Sequence, residues 1–219
     1  MLETKNINKA FGKKVILNDI SLKCDIGDII GIFGRNGSGK SSLLKIIHGT
    51  LKADSIIIKI NSQIVKPKEI IPSKHIAYLP QETFLPKNSK VRNIIPLFFP
   101  NGNNQDRIFY SKGVSHFENK KIGTLSLGQL RYLEILLIGN LDHPYMMFDE
   151  PFSMIEPIYK DVIKEFLVNL KRKKGLIITD HYYNDVLEIT DRKFIIKNGK
   201  KLPVKDETDL AKYEYLKRN

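Results

Sequence analysis

Gly34-Arg35-Asn36-Gly37-Ser38-Gly39-Lys40-Ser41 is the stretch on which the fold turns. It follows an apolar strand, Ile29–Phe33, and runs through Ser42 into Leu43, Leu44, Ile46 and Ile47, spaced as the inner face of a helix. Strand, glycine-rich turn and helix in that order form a phosphate cradle. The glycines let consecutive N–H groups point inward at phosphate oxygens, and the helix N-terminus adds partial positive charge. In such a cradle Lys40 reaches the β- and γ-phosphates, and the Ser41 hydroxyl serves Mg²⁺. The loop 34–42 therefore reads as the triphosphate half of a nucleotide site.

The other half should lie at the end of a second core strand. Tyr145-Met146-Met147-Phe148-Asp149-Glu150 supplies it: four residues build a buried strand, and Asp149 emerges at its C-terminal edge, where α/β sheets place ligands. Asp149 is placed to serve Mg²⁺, directly or through its outer sphere, and Glu150 to orient or activate water. Further apolar segments of strand length recur at 56–60, 76–79, 176–179 and 194–197. Helical periodicity separates several of them, most clearly Ile158, Val162, Ile163, Phe166, Leu167 and Leu170. This alternation predicts a largely parallel sheet covered by helices. Segments 2–8 and 16–24 predict antiparallel strands ahead of that core, and Lys197-Asn198-Gly199-Lys200 predicts a hairpin turn. Residues 82–124 contain Pro86, Pro96, Pro100 and the polar run 101–105, and they break the alternation. They are expected to form an inserted lobe, extended by the following helix to about residue 141.

Composition narrows the class. The 219-residue chain is 42% hydrophobic, enough apolar surface to offset the entropy of ordering, so a disordered chain is excluded. The longest apolar runs, 94–100 and 135–138, fall far short of the roughly 20 residues of a spanning helix. Met1-Leu2-Glu3-Thr4-Lys5 has no apolar core, and no export peptide is expected. The single cysteine, Cys24, cannot form an internal disulfide, which fits a reducing cytoplasm. With 36 Lys+Arg against 24 Asp+Glu, the net charge of +12 favours polyanionic partners: nucleotides, nucleic acid or an anionic membrane face. The same lysines also read as an ordinary solvated surface, and the run 171–174 suits a helix C-terminus.

Three more elements, in order, narrow the choice among nucleotide-binding folds. Leu125-Ser126-Leu127-Gly128-Gln129 resembles the LSGGQ signature of the ATP-binding cassette (ABC) ATPases. Gln81 in Tyr78-Leu79-Pro80-Gln81 resembles their Q-loop glutamine, and His181 in Thr179-Asp180-His181 their switch histidine. Phe11 stands where the family stacks an aromatic ring on adenine. Ser126 and Gln129 also read as a capping box that starts a helix carrying Leu130, Leu133, Leu137 and Leu141. The segment 175–181, with 186–192 beyond it, resembles the lipopolysaccharide-export and branched-chain amino acid uptake branches.

The resemblance implies a single cassette over residues 1–219, with a P-loop α/β core, an N-terminal antiparallel β-subdomain and a short inserted helical subdomain. It implies ATP hydrolysis with Mg²⁺ between two cassettes arranged head to tail, homomeric or with a paralogue. Lys40 would offset phosphate charge, Ser41, Gln81 and Asp149 would serve the metal, Glu150 would polarise water, and His181 would contact the γ-phosphate. Ser126, Leu127, Gly128 and Gln129 would close on the opposite subunit's nucleotide. The chain is then expected to power a transporter from the cytoplasmic face of the membrane, docked on separate membrane subunits through the Gln81 loop and the lobe, with nucleic acid an unlikely partner. Two alternatives are an ABC-type ATPase acting on nucleic acid or the ribosome, which the charge suits, and a regulatory cassette of low turnover. Leu127 replaces the first signature glycine, and Glu156 stands in place of the family's usual aspartate.

Overall fold

The computed structural model describes residues 1–216. In chain order its strands are β1 (Leu2–Phe11), β2 (Lys14–Cys24), β3 (Ile29–Phe33), β4 (Ser55–Ile60), β5 (Gln63–Val65), β6 (Ile76–Leu79), β7 (Tyr145–Asp149), β8 (Gly175–Thr179), β9 (Arg192–Lys197) and β10 (Lys200–Val204). The helices are α1 (Lys40–His48), α2 (Val91–Phe98), α3 (Gly102–Phe109), α4 (Leu127–Gly139), α5 (Pro157–Lys171), α6 (Tyr183–Ile189) and α7 (Glu207–Lys212).

Two sheets result. One has the order β10-β9-β3-β8-β7-β6, with every pair from β9 to β6 parallel. The other, β2-β1-β4-β5, is antiparallel. The segment 56–60, grouped by its apolar run with the core strands, belongs to this second sheet. Its burial explains the difference: β4 is buried only at Ile58 and Ile60, an alternation typical of a sheet with one solvated face. By contrast β3, β7 and β8 are buried at every residue. The β9–β10 hairpin turns at Asn198 (φ 51°) and Gly199 (φ 74°), the positive-φ pair that an Asn-Gly turn supplies.

The period-2 geometry of the strands sorts the core onto two faces. Ile30, Ile32, Met147 and Ile177 pack with Leu43, Leu44 and Ile47 of α1 and with the antiparallel sheet. Ile29, Phe33, Met146, Phe148, Leu176 and Ile178 pack with α4, α5 and the inserted segment. Val91, Ile94, Ile95, Phe99, Ile108, Val114, Phe117 and Ile122 of that segment share this same core with Phe148 and Leu176. Two predicted helix faces are trimmed at their ends: Ile158, in the first turn of α5, is 70% exposed, and Leu141 lies past the end of α4 at Gly139. The helix-start reading of Ser126 holds. Its Oγ accepts from Gln129 N–H (3.1 Å), and Gln129 Oε1 accepts from Ser126 N–H (3.2 Å).

Candidate functional site

The loops at the C-terminal ends of β3, β6, β7 and β8 meet above one edge of the parallel sheet. There they line a cleft of about 590 Å³ with Phe11, Lys14 and Ile16. Asn36–Ser42, Gln81, Glu150 and His181 all face it. The glycine loop is shaped by close approach. Gly34 has φ 154°, and a Cβ there would stand 2.3 Å from Ser38 Oγ; Gly39 has φ 104°, and a Cβ would stand 2.7 Å from Ile16. Only glycine fits both positions.

Lys40 is buried, and its Nζ donates to Gly34 O at 2.7 Å. Burial pulls its pKa below the usual lysine value, while the charges of Glu150, Asp149 and Asp180 oppose that shift. The Ser41 hydroxyl donates to Asp149 Oδ1 at 3.1 Å. Asp149 is fully buried and also accepts from Thr179 Oγ1 (2.7 Å) and from the Tyr78 hydroxyl on Oδ2 (2.9 Å). Glu150 adopts φ 57°, an uncommon conformation for a residue with a side chain, which swings its carboxylate from the strand end into the cleft. Gln81 Nε2 donates to Glu150 Oε2 at 2.7 Å, and His181 Nε2 lies 2.8 Å from the same oxygen. Asp180 is buried beneath them and accepts the N–H groups of Phe152 and Tyr182. Burial pushes its carboxyl up to about 6, and those two hydrogen bonds limit the shift.

The remaining expected residues fall around this centre. Phe11 is 51% exposed at the cleft rim, with the Lys9 ammonium 4.9 Å from its ring centroid. Arg35 turns away from the cleft toward the C-terminal segment and donates to Glu214 O. Ser126, Leu127, Gly128, Gln129 and Glu156 do not line the cleft. They lie together instead: a Cβ on Gly128 would stand 3.4 Å from Glu156 N, so the start of α4 rests on the turn that leads into α5. Leu127 is 59% exposed.

Motif reading missed several groups that hold the site. Lys14 and Ile16 wall the cleft from β2, and Tyr78 and Thr179 hold Asp149. Buried Arg131 on α4 donates to Pro80 O (2.7 Å), to Asp149 O and to Glu150 O (3.2 Å). It also pairs with fully buried Glu134 at 3.3 Å, which in turn accepts from Phe84 N–H. The available signal was polarity out of place: Thr179 ends one apolar strand, Tyr78 stands one residue before the end of another, and Arg131 and Glu134 interrupt the apolar run of α4.

A family model described as ABC transporter matches residues 17–153, more than half of the chain. The chain belongs to the ABC transporter family. It is an ATP-binding and ATP-hydrolysing subunit of the kind that powers such transporters. The cassette is 26% identical to the lipopolysaccharide export system ATP-binding protein LptB of Haemophilus influenzae, over 100% of this chain and 95% of that protein. Among solved structures it is similar to a nucleotide-free ATP-binding cassette from an ABC transporter, with TM-score 0.81 and 25% identity over 98% of this chain and 95% of the other. The fold is also that of a dimeric cassette captured in a post-hydrolysis state with ADP and Pi, with TM-score 0.79 and 21% identity over 94% of this chain and 100% of the other.

Proposed function

We propose that this cassette hydrolyses ATP in a head-to-tail dimer, with the reacting groups divided between two subunits. The observation that carries this reading is the separation described above. Lys40, Ser41, Gln81, Glu150 and His181 share one cleft, while the signature residues 126–129 lie outside it beside Glu156. A second copy, or a paralogue, would bring its Ser126 and Gly128 to this cleft, and the capped N-terminus of its α4 suits an anionic phosphate.

Within the cleft, Lys40 and the loop N–H groups bind the phosphates, and Phe11 takes the base. Glu150 orients the attacking water and accepts its proton. Gln81 and His181 hold the same Glu150 oxygen and so fix where that proton goes. The donor set fits Mg²⁺. No cluster of three or more His, Cys, Asp or Glu that could cage a metal exists among the described residues, and Mg²⁺ typically takes one or two protein oxygens plus substrate phosphates. Ser41, whose proton is committed to Asp149, has lone pairs left for a metal, and Gln81 lies across the cleft. When bound, Mg²⁺ would supply charge neutralisation at the phosphate oxygens.

In this reading the partners are integral membrane subunits; no helix among the described residues is long and apolar enough to cross a membrane. The cassette would then work at the inner face of the cell membrane. Docking would use the Gln81 loop and the lobe, where Phe84 and Leu97 are exposed. Tagged Glu150→Gln, pulled from gently solubilised host membranes with ATP and Mg²⁺, should bring down polytopic membrane proteins. Recovery from the soluble fraction with ribosomes or nucleic acid would overturn the transport reading.

Leu127→Gly should leave ATP turnover equal or higher, within a few-fold. The exposed leucine supplies no group to the cleft of its own chain, and glycine permits closer backbone approach across the dimer. A collapse of steady-state turnover would instead assign the leucine a local role.

A further inference from the structure

We propose that Tyr78 and Thr179 are positioning residues that lock the Asp149 carboxylate, so that Ser41 is presented to the nucleotide-bound metal in one fixed orientation. The inference rests on the proposed metal-serving role of Ser41 and Asp149 and deepens it.

Asp149 accepts three hydroxyl donors, and each comes from a different element leading to the cleft. Ser41 comes from the first turn of α1 just past the glycine loop, Tyr78 from β6 three residues before Gln81, and Thr179 from β8 two residues before His181. A buried carboxylate is costly unless its oxygens are satisfied, and hydrogen bonds to a charged group are the stronger kind. The two strand hydroxyls leave Asp149 little freedom to rotate. Because Thr179 and Ser41 share Oδ1 while Tyr78 takes Oδ2, rotating the carboxylate breaks all three bonds together. Tyr78 is itself steadied from α1, its ring 5.3 Å from that of His48. Asp149 is fully buried and so acts on the metal through Ser41 rather than by direct contact.

The test is binding of trinitrophenyl-ATP to the full chain, by fluorescence, in EDTA and in saturating Mg²⁺. Tyr78→Phe keeps the ring and removes only the hydroxyl, Thr179→Val does the same on β8, and Tyr145→Phe removes a hydroxyl at the far end of β7 as a control. Tyr78→Phe and Thr179→Val should each keep the affinity measured in EDTA and lose about tenfold of the tightening produced by Mg²⁺, the scale of one hydrogen bond to a charged group. The Mg²⁺ concentration for half-maximal ATPase activity should rise in parallel, and Tyr145→Phe should match wild type in both. The proposal is overturned if Tyr78→Phe responds to Mg²⁺ like wild type, if it loses affinity equally with and without metal, or if Mg²⁺ leaves wild-type affinity unchanged. Failure of wild type to bind the probe both in EDTA and in saturating Mg²⁺ would overturn the P-loop assignment itself, a separate result.

Discussion

Lys40→Ala should abolish ATP binding and turnover. The ammonium is a buried cation facing three carboxylates, Asp149, Glu150 and Asp180, whose charges all act on it. Its removal withdraws the group proposed to meet the β- and γ-phosphates and leaves those carboxylates to repel them. With charge-assisted hydrogen bonds contributing about 1.5–3 kcal/mol each, loss of two such contacts lowers affinity by about a hundredfold or more. The fold should survive, because Lys40 already bears a desolvation cost and makes a single hydrogen bond, to Gly34 O. Equilibrium binding of a fluorescent nucleotide, beside a thermal melt, separates the two effects. Normal hydrolysis by a folded Lys40→Ala protein would dismiss the assignment of the loop 34–42.

The second large effect is expected at Glu150. Glu150→Gln keeps the shape of the side chain and an oxygen to accept from Gln81, while removing the carboxylate that would take a proton from water. Loss of a general base typically costs about 10²–10⁴ in rate. Nucleotide affinity should stay within a few-fold of wild type, since Glu150 is not needed to hold phosphate. Binding without turnover should accumulate an ATP-bound dimer, visible by size-exclusion chromatography with multi-angle light scattering. An unchanged rate would mean that another residue positions the water. A monomer in saturating ATP would count against the divided site.

Much of this architecture was legible from local patterns, because the decisive elements are short and buried on both faces. Ile29–Phe33 and Ile76–Leu79 are strands over the very residues their apolar runs mark. The Ser126–Gln129 box depends on residues three apart and needs no tertiary knowledge. Where local pattern erred, the cause was the partner. The run at 56–60 resembles a core strand in composition, yet its neighbours across the ladder are β1 and β5. Ile158 continues a helical stripe past the point where anything packs on it. The grip on Asp149 was hidden for a different reason. Ser41, Tyr78 and Thr179 are far apart in the chain and meet only because β6, β7 and β8 lie side by side. No spacing rule links them.

Arg131 has a mechanical consequence. Its guanidinium holds the carbonyl before Gln81 and the carbonyls of Asp149 and Glu150 at once, and its helix neighbours Tyr132 and Leu133 belong to the apolar core that the inserted segment shares. Parting these loops would break hydrogen bonds between a buried cation and those carbonyls, at a cost of about 1.5–3 kcal/mol each. That exceeds thermal agitation several-fold. One side chain thus ties the loop of Gln81 to that of Glu150, so a displacement of the first is expected to carry the carboxylate proposed to handle water along with it.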